Sequence, residues 1–399
     1  MRQALAALTC RGATPLPLPL LLMLLLPLTW KLEIPCWILD IDPLSLSLPL
    51  TWKLEIPCWI LDIDPLSLFF WCVRAYYRGM NATPESKSPR GTFVMNVLAN
   101  RRLCQGHYLL RLGGKEFPPT KPGQFVQLQC RVPGPQAGWS EVQVAPGDWP
   151  ELTGRELTEG EPILRRPLSL AGRRDTEFDV ELDIIYSVVG RGTSWLADAA
   201  EGDEISVLGP LGNAFAVSET KPHAALVGGG VGIPPMIFLA SAMQSADKDA
   251  VAFCGARSVD MLPVTLAPGV EIATDAAPSP GISQFAQFGV DSVIATDDGT
   301  LGWKGFVTEP LAAWLDALPD APDTAVVYTC GPEPMMRAIA EICIARNVEC
   351  QVSLERHMAC GMGTCQSCVC KIKSDTDAGW SHKLCCTQGP VFKAADIVW

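Results

Sequence analysis

From residue 95 onward, apolar and polar positions alternate in short runs divided by Gly and Pro. The stretches 108–112 (YLLRL), 124–128 (QFVQL) and 178–186 (FDVELDIIY) follow the period of a half-buried strand. Ile205-Ser206-Val207-Leu208 adds another and stops at Gly209-Pro210. Strands joined by turns, with few helical repeats, predict a small antiparallel β-barrel over 95–220. Residues 133–161 are rich in Gly, Pro and polar side chains and read as a long surface loop.

From 221 to 350 the pattern becomes α/β. Strands are expected at 224–227, 251–254, 271–274, 292–296 and 325–329, and helices at 236–243, 306–318 and 333–347. Strands interleaved with helices imply a doubly wound, mostly parallel sheet. Residues 351–399 are dominated by cysteine and form a third, small domain. The fold class is therefore multidomain: an antiparallel β-barrel, a doubly wound α/β domain and a small C-terminal metal domain.

The first 94 residues differ. Residues 15–28 are leucine-rich but broken by Pro15, Pro17, Pro19 and Pro27, too short and interrupted to span a bilayer. Arg2 and Arg11 before this run imitate a secretory signal, but no small-residue cleavage site follows. Residues 26–46 (LPLTWKLEIPCWILDIDPLSL) recur unchanged at 48–68, an offset of 22 residues. Structural repeats drift where packing does not constrain them, so an unaltered copy reads as a recent duplication. We expect a spurious or disordered extension, with Met80 or Met95 as the better start.

A net charge of −12 excludes nucleic acid and an anionic membrane surface as partners. Sixteen cysteines in a 399-residue chain, seven of them between Cys350 and Cys386, point to metal binding in a reducing compartment, the cytoplasm. Cys360, Cys365 and Cys368 stand at C-x4-C-x2-C, with a fourth thiol at Cys385 or Cys386. That is the plant-type [2Fe–2S] spacing. Gly361 and Gly363 let backbone N–H groups approach cluster sulfurs. Zinc is the competing reading, but closed zinc sites usually pair two C-x2-C arms.

Other motifs suit a bound dinucleotide. Arg166-Pro167-Leu168-Ser169 offers a fixed cation and a hydroxyl beside a strand start, able to hold a diphosphate. Gly192-Thr193 precedes a helix expected at 194–200, a natural phosphate seat. The turn Gly228-Gly229-Gly230-Val231-Gly232 lies between a strand and a helix that opens with prolines, although it departs from G-x-G-x-x-G. Loops at strand ends would line the crevice, among them Cys330-Gly331-Pro332. The Cys330 sulfur could face a nicotinamide or serve as a small buried hydrophobe.

Together these residues resemble the electron transfer subunits of class B dihydroorotate dehydrogenase, a branch of the ferredoxin reductase-like superfamily. The resemblance covers 95–399 and is carried by Arg166-Pro167-Leu168-Ser169, Ile185-Tyr186 with Gly190-x-Gly192-Thr193, the glycine turn, Cys330-Gly331-Pro332-Glu333-Pro334-Met335-Met336, the thiol loop and Cys386-Thr387-Gln388-Gly389-Pro390-Val391-Phe392. It implies FAD on the barrel at Arg166, Pro167, Leu168, Ser169, Ile185, Tyr186, Ser187, Gly192 and Thr193. It implies NAD on the α/β domain, at Gly228, Gly229, Gly230, Gly232, Cys330, Gly331 and Pro332. It also implies a [2Fe–2S] cluster on Cys360, Cys365, Cys368 and Cys386. Ser187 departs from the arginine usual after the tyrosine, and the 133–161 loop is longer than expected.

The function so implied is electron transfer, in pyrimidine biosynthesis, from a dihydroorotate-oxidising FMN subunit through [2Fe–2S] and FAD to NAD+, in a heterotetramer of two subunits of each kind. The alternatives are a stand-alone NAD(P)H-dependent reductase feeding an oxygenase, and a non-catalytic zinc module. Acid–base candidates are scarce. None of His107, His223, His357 and His382 sits in triad or metal-ligand spacing. No P-loop, zinc-protease helix or nucleophile elbow is present.

Overall fold

The computed structural model describes residues 90–131, 164–177 and 179–399. The leading repeat and the expected 133–161 loop lie outside the described residues. β1 (Gly91–Cys104), β2 (His107–Gly114), β3 (Phe125–Leu128), β4 (Arg166–Ser169), β5 (Gly172–Asp175), β6 (Val180–Ser187) and β7 (Glu204–Leu211) form one antiparallel sheet in the order β4-β3-β7-β1-β2-β6-β5. Alternate side chains of these strands, including Met95, Leu110, Val126, Leu182, Ile184 and Val207, fill one core. β1 begins at Gly91, upstream of the expected domain start at 95, because residues 91–94 pair with 206–209 of β7.

A second sheet runs β11-β10-β9-β8-β12-β13-β16, from β8 (His223–Gly229), β9 (Asp249–Ala256), β10 (Asp291–Thr296), β11 (Trp303–Lys304), β12 (Ala325–Cys330), β13 (Glu349–Ser353) and β16 (Val391–Lys393). All neighbours are parallel except β13 and β16. The helix after the glycine turn, at Ile233–Ser245, is apolar on every side and buried. It lies between the sheet and the barrel, since its Phe238 packs in the barrel core while Ile237 and Leu239 pack against the sheet. The opposite face carries the helices Thr308–Ala317 and Glu333–Ala345. The strand expected at 271–274 is absent; these residues are loop, bounded by Pro268-Gly269 and Pro278, with no ladder partner.

The C-terminal residues add a hairpin, β14 (Val369–Lys373) with β15 (Trp380–Leu384), and then β16 returns to the edge of the α/β sheet. An expected boundary at 351 cuts β13, because the last domain shares the α/β core. Cys368, Cys370, Cys385 and Cys386 pack in one cluster with Leu311, Ile339 and Val352. Among the described residues no helix is long and apolar enough to cross a membrane.

Candidate redox centre

The candidate residues fall into three groups, two of which touch the short strand β3. The first is the Arg166–Ser169 motif, which is strand β4 itself and pairs with β3. Across the site, the helix at Arg191–Ala197 starts before the expected residue 194, so Gly192 and Thr193 occupy its first turn. Arg166 lies over Gly192: a Cβ there would stand 2.6 Å from the Arg166 Nε. The two motifs, distant in sequence, are thus brought together at the first turn of this helix.

The Thr193 hydroxyl is engaged within the turn. It accepts from the N–H groups of Val189 at 2.9 Å and Gly190 at 3.2 Å, and donates to the Gly190 carbonyl at 3.0 Å. It shapes the turn beside Arg166. Tyr186 points into the barrel core, with its hydroxyl donating to Asn100 Oδ1 at 3.3 Å, and burial raises its pKa. Ile185 faces the other way, against Ala171 and Phe215. Both support the site by packing.

Sequence reasoning missed Asn100, whose Nδ2 donates to the carbonyls of Leu196 at 2.7 Å and Ala199 at 2.9 Å. Leu196 is in the last turn of the same helix and Ala199 just beyond it, so Asn100 anchors its C-terminal end. It also missed Arg165, which donates to the Ser206 carbonyl and hydroxyl, each at 2.8 Å, and ties the start of β4 to β7.

The second group sits where the α/β sheet reverses direction. Strands step from β8 through β9 to β11 on one side and through β12 to β13 on the other, so the crevice lies at the C-termini of β8 and β12. Gly228 and Cys330 are register partners there. A Cβ on Gly228 would meet Ile233 Cα at 2.8 Å, one on Gly229 would meet Met335 Sδ at 2.7 Å, and one on Gly232 would collide with the Cys330 carbonyl. Gly230 alone in this turn has open space above it, with φ +53°. Gly229 and Gly232 therefore serve close packing of the turn on Cys330-Gly331-Pro332 and Met335, Gly228 serves packing on Ile233, and Gly230 is the one with space for a ligand. Cys330 is buried, and desolvation, aided by Glu355, pushes its thiol up to about 12. It is neutral near pH 7.

The third group is the thiol loop. Left-handed backbone at Gly361 (φ +67°), Gly363 (φ +91°) and Gln366 (φ +57°) coils the chain around its own sulfurs. The N–H groups of Met362 and Cys365 donate to Cys360 Sγ at 3.4 and 3.3 Å. Across the loop, the Cys386 N–H donates to Cys368 Sγ at 3.4 Å. Ser367 accepts from Ala359 N–H and donates to the His357 carbonyl, each at 3.3 Å. Hydrogen bonds from Ser367 and from backbone N–H groups lower the Cys365 thiol to about 6. Burial, and then Cys368, raise Cys386 to about 12.

The four expected ligands stand as two contacting pairs, Cys360 with Cys365 and Cys368 with Cys386. As the side chains stand, no three possible donors converge on one point among the described residues. The donor set nevertheless fits an iron–sulfur cluster: four thiols, N–H groups aimed at sulfur, and a loop free of side-chain bulk. Cys385 turns away and contacts Cys370, which lowers the Cys370 thiol, while that contact and burial raise Cys385. The open choice between Cys385 and Cys386 is thus weighted toward Cys386.

Residues 355–398 match the family model for the iron–sulfur cluster binding domain of dihydroorotate dehydrogenase B, and 226–341 that for an oxidoreductase NAD-binding domain. The chain is 32% identical over 304 residues to the dihydroorotate dehydrogenase B (NAD(+)) electron transfer subunit of Caldanaerobacter subterraneus subsp. tengcongensis, covering 76% of this chain and 97% of that protein. The chain belongs to this family of electron transfer subunits. The subunit of Desulforamulus reducens is 34% identical over 308 residues, covering 77% of this chain and 98% of its own. The fold of this chain also matches a solved NADH-dependent reduced ferredoxin-NADP oxidoreductase, with a TM-score of 0.56 and 24% identity over 77% of this chain and 91% of that one.

Proposed function

We propose that this chain relays electrons between a dihydroorotate-oxidising FMN subunit and NAD+, in the synthesis of pyrimidines. As a member of its family it is an oxidoreductase component whose cofactors are FAD, a [2Fe–2S] cluster and NAD. Flavin supplies the exchange between a nicotinamide hydride and the single electrons of iron–sulfur, and the protein supplies binding and placement. The carrying observation is the convergence on β3. Its ladder neighbour β4 bears the flavin motif, and the Gln127 side chain of β3 reaches the thiol loop.

In this reading Arg166 and the first turn at Gly192 and Thr193 hold the FAD diphosphate, with Pro167, Leu168, Ser169 and Ser187 forming the surrounding wall and Ile185 and Tyr186 supporting it from behind by packing. Gly228, Gly229, Gly230, Gly232, Cys330, Gly331 and Pro332 shape the NAD crevice. Cys360, Cys365, Cys368 and Cys386 hold the cluster. The working units are a flavin barrel ending near 220, an NAD domain to about 350 and a cluster domain beyond, with the leading segment playing no part. The catalytic partner is a separate chain, as the relatives' name, electron transfer subunit, implies. We expect two copies of each subunit. The described cysteines are all free, which suits a reducing cytoplasm.

The test is coexpression with a dihydroorotate dehydrogenase B catalytic chain. A copurifying complex that makes NADH from NAD+ when given dihydroorotate is the expected result. A chain that never associates, yet passes electrons from NADH to another acceptor, contradicts the proposal and favours a stand-alone reductase.

A further inference from the structure

One buried carboxamide joins the flavin strand to the thiol loop. Along β3, Val126 and Leu128 enter the barrel core, while Phe125 and Gln127 point outward, with Phe125 in the core cluster that the α/β sheet shares with the C-terminal residues. Gln127 stands directly across the ladder from Pro167 of the flavin motif. Its Nε2 donates to the Ala359 carbonyl at 3.4 Å. Gly361 presses on the same group, for a Cβ there would stand 2.7 Å from Gln127 Cδ. The residue is only 1% exposed, and its Oε1 has no hydrogen-bond partner among the described residues.

A desolvated, unpaired amide oxygen is costly, and a methionine or leucine would fill this space without that cost. Packing therefore does not explain a glutamine here. This side chain touches the backbone that carries Cys360, and its own strand pairs with the flavin motif.

We propose that Gln127 is a positioning residue for electron passage between the cluster and the flavin. It holds residues 359–361, and through them the Cys360 sulfur, against β3, and its free oxygen takes an N–H donor when the centre is loaded. The proposal rests on the relay function above.

The experiment compares the wild-type chain with Gln127→Met and Gln127→Glu, each full length and anaerobic. FAD and iron content, the rate of flavin bleaching by NADH, the electron paramagnetic resonance of the reduced cluster, and the rate at which that signal grows are measured. Gln127→Met is expected to keep wild-type FAD, iron and flavin bleaching, to shift the cluster's resonance, and to slow growth of the signal about tenfold. Gln127→Glu, equal in size but without the amide donor, is expected to slow it likewise. An unshifted resonance with signal growth within about twofold of wild type overturns the proposal. Loss of FAD, or failure of both variants to fold, also overturns it, because a general structural role would then explain the residue. A wild-type chain that shows neither bleaching nor a cluster signal instead overturns the relay reading itself.

Discussion

Two sets of thiols lie side by side in the C-terminal domain, and their surroundings separate them. Cys360 and Cys368 receive backbone N–H bonds, and Cys365 is exposed on a loop coiled by left-handed residues. Cys370 and Cys385 are buried in the hairpin region and contact each other. A metal-binding thiolate needs stabilisation of its negative charge, which aimed N–H groups provide and burial opposes. Spacing alone does not distinguish Cys385 from Cys386, and both are buried; what differs is the neighbouring sulfur, Cys370 for Cys385 and Cys368 for Cys386.

The largest expected effects fall on the first set. Cys365→Ser should abolish the cluster's electron paramagnetic resonance while FAD stays bound, as read by flavin absorbance; loss of both together would break the separation of the sites. Cys386→Ser should do the same, whereas Cys385→Ser should leave the signal and iron content intact. The reverse outcome would move the fourth ligand to Cys385.

An intermediate effect is expected at the flavin seat. Arg166→Ala removes a cation able to make charge-assisted bonds, each worth about 1.5–3 kcal/mol, so FAD affinity should fall by about 10- to 100-fold in a flavin-release titration. Unchanged flavin content would take Arg166 out of the site.

Smaller effects should follow from the tethers. Asn213 on the loop after β7 clasps the tail, donating to the Val391 carbonyl and accepting from its N–H, both at 2.8 Å. Asn213→Ala should cost about 1–3 kcal/mol in denaturant unfolding without altering the cluster spectrum. Truncation provides a further comparison. A chain beginning at Met80 keeps all of β1, whereas one beginning at Met95 loses the pairing of residues 91–94 with β7 and should melt earlier.

How much of this was legible follows from where each feature's partners lie. The thiol loop was readable because its residues are contiguous. The glycine turn and the strands at 224–227 and 325–329 were readable because their signals are local. The tethers were not, since Gln127 and Ala359 are 232 positions apart and Asn213 and Val391 are 178 apart, with nothing near either residue marking it. The 271–274 segment carries a strand signal in the β-branched Ile272 and Thr274, but it pairs with no ladder. The β14 alternation, exposed Val369, buried Cys370, exposed Lys371, buried Ile372, carried a strand signal that the cysteine spacing overshadowed. Arg166 and Gly192 were each found, but their contact depends on the barrel closing, which no single motif encodes.

The most direct measurement is an anaerobic NADH titration of the purified chain, followed by visible absorbance and electron paramagnetic resonance. The expected result is bleaching of the flavin together with the signal of one reduced [2Fe–2S] cluster per chain. Colourless, iron-free protein, or flavin that bleaches with no cluster signal, would contradict a redox centre built around β3.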